Sequence, residues 1–82
     1  MKEYNEKEFD YLVLQIGIKI GYYRRKMGIT QEELADRIGM TVSYIGQLEA
    51  PNLVYKPSLK TLYKLSLVFG VPIKKLVDIE DE

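Results

Sequence analysis

Residues 31–50 read QEELADRIGMTVSYIGQLEA, and this stretch decides the fold. A helix is predicted to begin directly after Thr30, because Thr30 and Glu33 have the spacing of a capping box, in which each side chain accepts a backbone N–H of the other residue. That helix ends at Gly39, where a turn needs a positive φ that glycine adopts without steric cost. Thr41 is predicted to cap a further helix. Two helices joined by so short a turn must cross at a steep angle.

The apolar residues of this stretch are expected to meet in one core between the two helices. They recur at helical spacing and are Leu34, Ile38, Met40, Ile45 and Leu48. Ala35 has a small side chain that lets the helices approach closely. The later helix, predicted from Val42 to about Leu48, has an opposite side that we call the outer face. It carries Thr41, Val42, Ser43, Gly46 and Gln47 and is left free for a partner.

Helical periodicity continues on both sides of this stretch. A long first helix is predicted over residues 6–27 from an apolar stripe made of Phe9, Leu12, Val13, Ile16, Ile20, Tyr23 and Met27. Residues 50–57 contain two prolines and an asparagine and predict a loop. Ser58 is expected to cap a fourth helix that Gly70 ends, and Pro72 to occupy the first turn of a short fifth helix.

The chain is therefore predicted to be all-α, with five helices and no strand-period segment. We expect an N-terminal segment over residues 1–8, one domain over residues 9–77 and an acidic tail over residues 78–82.

Composition excludes several classes of function. The 82 residues include no cysteine and no histidine, which removes thiolate sites, disulfides and the commonest general base. The carboxylates are not arranged as a calcium loop, and there is no phosphate-binding loop or nucleophile–base set. We expect no enzyme, no metal and no cofactor. The polar, acidic start is unlike a signal peptide, and no apolar run approaches the ~20 residues that span a bilayer. We expect a cytoplasmic protein without membrane contact.

The charge is balanced overall but unevenly distributed. Formal net charge is zero, which counts against nucleic-acid binding. Residues 11–30 carry four Lys or Arg and no acid, and residues 51–77 carry five Lys and no acid. Residues 31–50 carry one Arg and four acids. Two positive blocks thus flank the central stretch. They fit two interpretations, a surface that faces DNA phosphates or an ordinary solvated surface.

An ordered set of short motifs over roughly residues 16–77 resembles the Cro/repressor-type helix-turn-helix family, also called the XRE family. The set runs through Ile16-Gly17, Ile20, Tyr23-Arg24, Gly28-Ile29-Thr30-Gln31-Glu32-Glu33-Leu34-Ala35, Gly39, Ile45, Glu49, Pro57-Ser58-Leu59, Phe69-Gly70-Val71 and Leu76. The resemblance implies a compact five-helix lambda-repressor-like DNA-binding domain with residues 31–50 as its reading unit.

The resemblance also implies a set of DNA-binding residues: Gln31, Thr41, Val42, Ser43, Tyr44, Gln47, Asn52 and Lys56. Gln31, Thr41 and the Tyr44 hydroxyl would contact phosphates. Val42, Ser43 and Gln47 would face base edges. Asn52, Tyr55 and Lys56 would grip the DNA backbone from the loop. Simpler roles remain open, namely helix capping for Gln31 and Thr41 and plain solvent exposure for the outer face.

Arg24 and Glu49 would form a structural ion pair between the first and third helices. Three features depart from the family pattern. Gly46 lies in mid-helix, Ala50-Pro51-Asn52 replaces a common glycine, and the outer face holds no Arg or Lys.

The expected function is that of a sequence-specific transcriptional regulator, a repressor that binds double-stranded DNA as a homodimer on a palindromic operator. Two alternatives stay open. One is an antitoxin or controller-type regulator of the same fold, and the other is a protein-interaction module that kept the fold without binding DNA. A protein partner is a further candidate in either case.

Two exposed apolar sets are predicted. Tyr11, Ile18 and Tyr22 form a second stripe on the first helix, with Gly17 and Gly21 beside it where a close neighbour could enter. We expect the N-terminal segment or the acidic tail to cover this stripe, the alternative being a subunit or partner interface. A two-fold interface is expected at Leu67, Val71, Ile73 and Val77.

Overall fold

A computed structural model describes residues 2–78, and all regular structure in that range is helical. The helices are α1 Glu6–Lys26, α2 Gln31–Ile38, α3 Val42–Glu49, α4 Leu59–Phe69 and α5 Ile73–Val77. The predicted all-α fold of five helices is confirmed. Residues 79–82 of the predicted acidic tail lie outside the described range.

Side chains at the helix starts satisfy the backbone N–H groups that a first turn leaves unpaired. The capping box at α2 is present, with Glu33 N donating to Thr30 Oγ1 at 3.0 Å and Thr30 N donating to Glu33 Oε1 at 2.7 Å. Thr41 accepts from Tyr44 N at 3.1 Å, as predicted for α3. Asn5, which the sequence did not single out, caps α1 in the same way.

Two predicted helix ends are shifted. Pro72 precedes α5 as its capping residue, because its ψ of 155° is extended, and the helix begins at Ile73. Met27 was expected on the inward stripe of α1 but follows the last helical residue and is 40% exposed. By contrast, Gly39 ends α2 in the left-handed region at φ 72°, as the turn requires.

The core lies where α1, α2, α3, α4 and α5 converge. Its buried side chains include the predicted set Leu34, Ala35, Ile38, Ile45 and Leu48, with Met40 packed at its edge. Helix α1 contributes Ile16 and Ile20, and the later helices contribute Leu62, Leu65 and Leu76. The short helices α2 and α3 are therefore held by packing on each other, with α2 also against α4 and α3 also against α1.

Gly17 and Gly21 of α1 are buried against the end of α3. A Cβ built on Gly17 would lie 2.2 Å from the Leu48 carbonyl oxygen, and one on Gly21 would lie 3.2 Å from Glu49 Oε1. The prediction that these glycines admit a neighbour is correct. The neighbour, however, is α3 of the same chain and not an outside partner, because both glycines face the core side of α1.

The second apolar stripe of α1 is open to solvent. Tyr11, Ile18 and Tyr22 are each about half exposed, and Lys26 Nζ lies 5.7 Å from the centre of the Tyr22 ring. The expectation that the N-terminal segment covers this stripe is wrong, because Asn5 starts α1 at Glu6 and residues 2–5 remain exposed beyond its end. The other expected cover, the tail, falls outside the described residues.

Candidate nucleic-acid interface

The outer face of α3 is exposed along its length, while Ile45 and Leu48 turn into the core from the other side. Thr41, Val42, Ser43 and Gln47 are all exposed, as the sequence predicted. Gly46 is half-buried on the same face. The exposed residues of this face present hydroxyl, amide and methyl groups to solvent. Such a helix has the size to enter the major groove of B-DNA.

Gln31, the first residue of α2, lies beside α3 instead of pointing freely into solvent. Its Nε2 donates to Glu49 Oε1 at 3.2 Å, at the far end of α3. Its Oε1 lies 3.8 Å from the position that a Cβ on Gly46 would take. Sequence reasoning missed this contact, since no local pattern relates residue 31 to residue 49.

The Arg24–Glu49 ion pair predicted from the resemblance is present and nearly buried. Arg24 Nε and Nη2 donate to the two Glu49 oxygens at 2.8 and 3.1 Å, and the two side chains are 13% and 7% exposed. Arg24 Nη1 also donates to the Ile29 carbonyl at 2.8 Å. One guanidinium therefore fixes α1, the α1–α2 linker and the end of α3 relative to one another. Paired, hydrogen-bonded charges of this kind tolerate burial.

Tyr44 is directed away from the outer face. Its hydroxyl donates to Thr61 Oγ1 on α4 at 3.2 Å, and its ring packs edge-on against Tyr55 with 5.6 Å between ring centres. The predicted packing of this ring at the edge of α3 is thus seen. Its predicted phosphate contact would have to compete with the hydrogen bond to Thr61.

Two of the loop residues implied by the resemblance, Asn52 and Lys56, are exposed. Asn52 is exposed in the turn that follows Pro51, and Lys56 is exposed with its Nζ 6.0 Å from the centre of the Phe9 ring of α1. The structure brings Gln31 and the outer face together. It places the Lys56 ammonium beside Phe9, near the start of α1.

The charge near the outer face is acidic on one side. An open groove of about 480 Å³ between α2 and α3 is lined by Glu32, Ala35, Asp36, Met40, Thr41 and Val42. Helix α3 carries no Lys or Arg in either its first or its last turn. Positive charge for phosphate contact must therefore come from other elements.

Within residues 2–78, no group of three acidic residues is arranged to hold a metal ion, and no helix combines the length and the apolar character needed to cross a membrane.

Comparison with known proteins connects this geometry to a family. The family model described as helix-turn-helix matches residues 20–76. The HTH-type transcriptional regulator SinR of Bacillus subtilis is 37% identical over 67 residues, which is 82% of this chain and 60% of that protein. An uncharacterized HTH-type transcriptional regulator of Archaeoglobus fulgidus is 41% identical over 64 residues, covering 78% of this chain and 89% of that one.

A solved structure extends the likeness to three dimensions. The N-terminal DNA-binding domain of SinR from Bacillus subtilis superposes with a TM-score of 0.73 at 33% identity, covering 84% of this chain and 99% of that domain. The chain thus matches one domain of SinR and spans 60% of the whole regulator. The chain belongs to the Cro/repressor-type, or XRE, helix-turn-helix family.

Proposed function

We propose that the protein is a cytoplasmic repressor that binds a palindromic operator as a homodimer and acts by occupying the site. The observation that carries this is the outer face of α3, which is exposed and polar while the same helix is anchored by Ile45 and Leu48. A rigid helix presented in this way holds its side chains in one register against the base edges of a major groove.

Base recognition is assigned to three residues of the outer face. Gln47 has the amide that suits adenine, with a bidentate contact worth about 1–3 kcal/mol of discrimination. Ser43 can donate to or accept from a base edge, and Val42 can pack on a thymine methyl group. Gln31 and Thr41 would contact phosphates beside them. Because these residues carry no positive charge, affinity would depend on flanking lysines and on a second subunit.

The second subunit is proposed to dock on the surface formed by the end of α4, α5 and the turn between them. Leu67 of α4 is 63% exposed, and Val71, Ile73 and Val77, in the turn and in α5, are half-buried. A two-fold axis through this surface would place two α3 helices about one DNA turn apart, ~34 Å.

A selection experiment tests DNA reading. The protein is mixed with a library of random duplexes at two salt concentrations, and the bound duplexes are sequenced. We expect a selected palindromic motif and an affinity that falls steeply with salt. If no sequence is enriched even at low salt, the fold serves protein contact and the operator proposal is wrong.

Two substitutions refine the same experiment. Gln47→Ala should relax preference at one base position in each half-site, whereas Lys56→Ala should weaken all duplexes alike and reduce the salt slope by about one. An unchanged motif with Gln47→Ala would show that another residue reads that position.

A further inference from the structure

We propose that Glu49, held by Arg24, positions the Gln31 amide for its phosphate contact. Glu49 would then act on DNA binding without touching DNA. This inference rests on the proposed function, because it concerns how one of the proposed phosphate contacts is prepared in the free protein.

The Glu49 carboxylate has one orientation because three donors hold it. Arg24 occupies both oxygens, at 2.8 Å to Oε2 and 3.1 Å to Oε1, and Gln31 Nε2 shares Oε1 at 3.2 Å. With the Glu49 side chain only 7% exposed, water has little access to replace these donors. Gly21 leaves room for this carboxylate, because a Cβ at position 21 would lie only 3.2 Å from Glu49 Oε1.

An ionised carboxylate can only accept, so it determines which way the Gln31 amide faces. The NH₂ group must point to Glu49, and the carbonyl Oε1 must then point the other way, along α3. The Gln31 Oε1 atom then lies beside Gly46, 3.8 Å from the position that a Cβ on Gly46 would take. The side chain is thus held between the end of α3 and its middle. The Nε2 group has a second hydrogen, and Glu49 is its only hydrogen-bond partner within residues 2–78.

Arg24 makes this arrangement compatible with DNA. A bare carboxylate next to a phosphate would repel it, and the adjacent guanidinium cancels that charge. A side chain already fixed in its bound geometry also loses less rotational freedom when DNA binds. The ion pair therefore has two effects on Gln31 besides joining α1 to α3. Glu49 orients the Gln31 amide, and Arg24 cancels the negative charge that would otherwise repel the phosphate.

The free protein supplies the first test, by NMR of its glutamine side-chain amides. The chain has three glutamines, and exposed Gln47 serves as an internal reference. We expect the Gln31 amide protons, assigned by their loss in Gln31→Ala, to resonate apart from those of Gln47 and to exchange more slowly with water. Equal shifts and equal exchange for the two amides would overturn the proposal, whether or not the protein binds DNA.

A double-mutant cycle supplies the second test, on the duplex selected by the wild-type protein. Gln31→Ala should weaken binding about tenfold in the wild-type background and less than threefold in a Glu49→Gln background, because the amide is no longer positioned there. Urea unfolding of each variant confirms that it is folded at the assay temperature. Arg24→Lys replaces Glu49→Gln if the latter is unfolded, and Asp36→Asn is the uncoupled control.

The outcomes separate the two proposals. Equal effects of Gln31→Ala in both backgrounds would refute positioning while leaving the repressor function intact. A wild-type protein that selects no duplex would refute the repressor function, while the amide spectrum would still decide whether Glu49 holds Gln31.

Discussion

Gly17 lies where the backbones of two helices touch. The Leu48 carbonyl stands 2.2 Å from the place of a Cβ on Gly17, closer than any real Cβ contact, so even a methyl group must push α1 and α3 apart. The same approach brings Glu49 within reach of Arg24, seven residues further along α1. The absence of one side chain therefore sets the position of the end of α3.

Gly17→Ala should destabilise the protein by about 3 kcal/mol, because overpacking a close backbone contact forces helix displacement. Gly46→Ala is the matched control. It also replaces a mid-helix glycine, but its methyl would meet only Gln31 Oε1 at 3.8 Å, so we expect a gain of up to about 1 kcal/mol from helix propensity. Urea unfolding monitored by circular dichroism measures both. Similar midpoints for the two variants would contradict the close contact at Gly17.

The family resemblance implied one distant pair, Arg24 and Glu49, and the structure contains it. From local patterns alone, the roles of single residues were predictable only where their partners are near in sequence. Thr30 and Glu33 are three residues apart, and their capping box was predicted and found. Gln31 and Glu49 are 18 residues apart, so their hydrogen bond depends on how α2 and α3 pack and no local pattern announces it. Tyr44 was expected to reach outward with its hydroxyl, but Thr61 of α4 supplies an inward partner.

At the scale of elements, α3 is short and depends on its start. It has eight residues, and Thr41 Oγ1 accepts the Tyr44 N–H at 3.1 Å. The sequence predicted this cap, and the family resemblance implied a second, phosphate-contacting role for the same threonine. The structure shows the cap, and Thr41 is exposed as the second role requires.

Thr41→Asp should separate these two roles. Aspartate caps helices as well as threonine does and favours the positive end of the helix dipole, so we expect stability to change by no more than about 0.5 kcal/mol. Its carboxylate would repel a phosphate, so operator affinity should fall at least about tenfold. Thr41→Asn, a neutral cap of the same size as aspartate, should keep both properties. Titration of the selected duplex gives the affinities, and unchanged binding by Thr41→Asp would remove Thr41 from the phosphate contacts.

At the scale of the molecule, two apolar surfaces are exposed. One is the stripe of Tyr11, Ile18 and Tyr22 on α1, and the other runs along α4 as Leu59, Tyr63 and Leu67, four residues apart. The α4 set continues past its C-terminus towards the half-buried Val71 and Ile73. The dimer is proposed at this end, where the exposed Leu67 is followed by these half-buried apolar residues.

Leu67→Glu should convert the dimer to a monomer. The substitution would remove an apolar contact from the interface and would bring two negative charges together across the two-fold axis. Tyr11→Glu is the control, with similar exposure on the other surface, and should leave the dimer intact. Sedimentation equilibrium at high protein concentration distinguishes the two. A wild-type protein that is strictly monomeric, or a dimer lost through Tyr11→Glu, would contradict the proposed interface.

The sequence predicted the helices and the core of the molecule, but not which apolar faces are covered. Helical periodicity and capping signals predicted five helices and most of the core, because both depend on local chemistry. The open stripe of α1 was expected to be covered, since an apolar helix face normally finds a partner. The sequence alone did not show that Asn5 caps α1 and that residues 2–5, before the helix, stay exposed.

The eight-residue length of α3 links the lifetime of the protein to its occupancy of DNA. Isolated helices shorter than about 12 residues are marginal in water, so α3 persists only while the other helices hold it. A ligand that binds only the folded form lowers the population of opened chains in proportion to its saturation. Molecules seated on an operator should therefore be cleaved by proteases more slowly than unbound ones, and a cell would clear the unbound excess first.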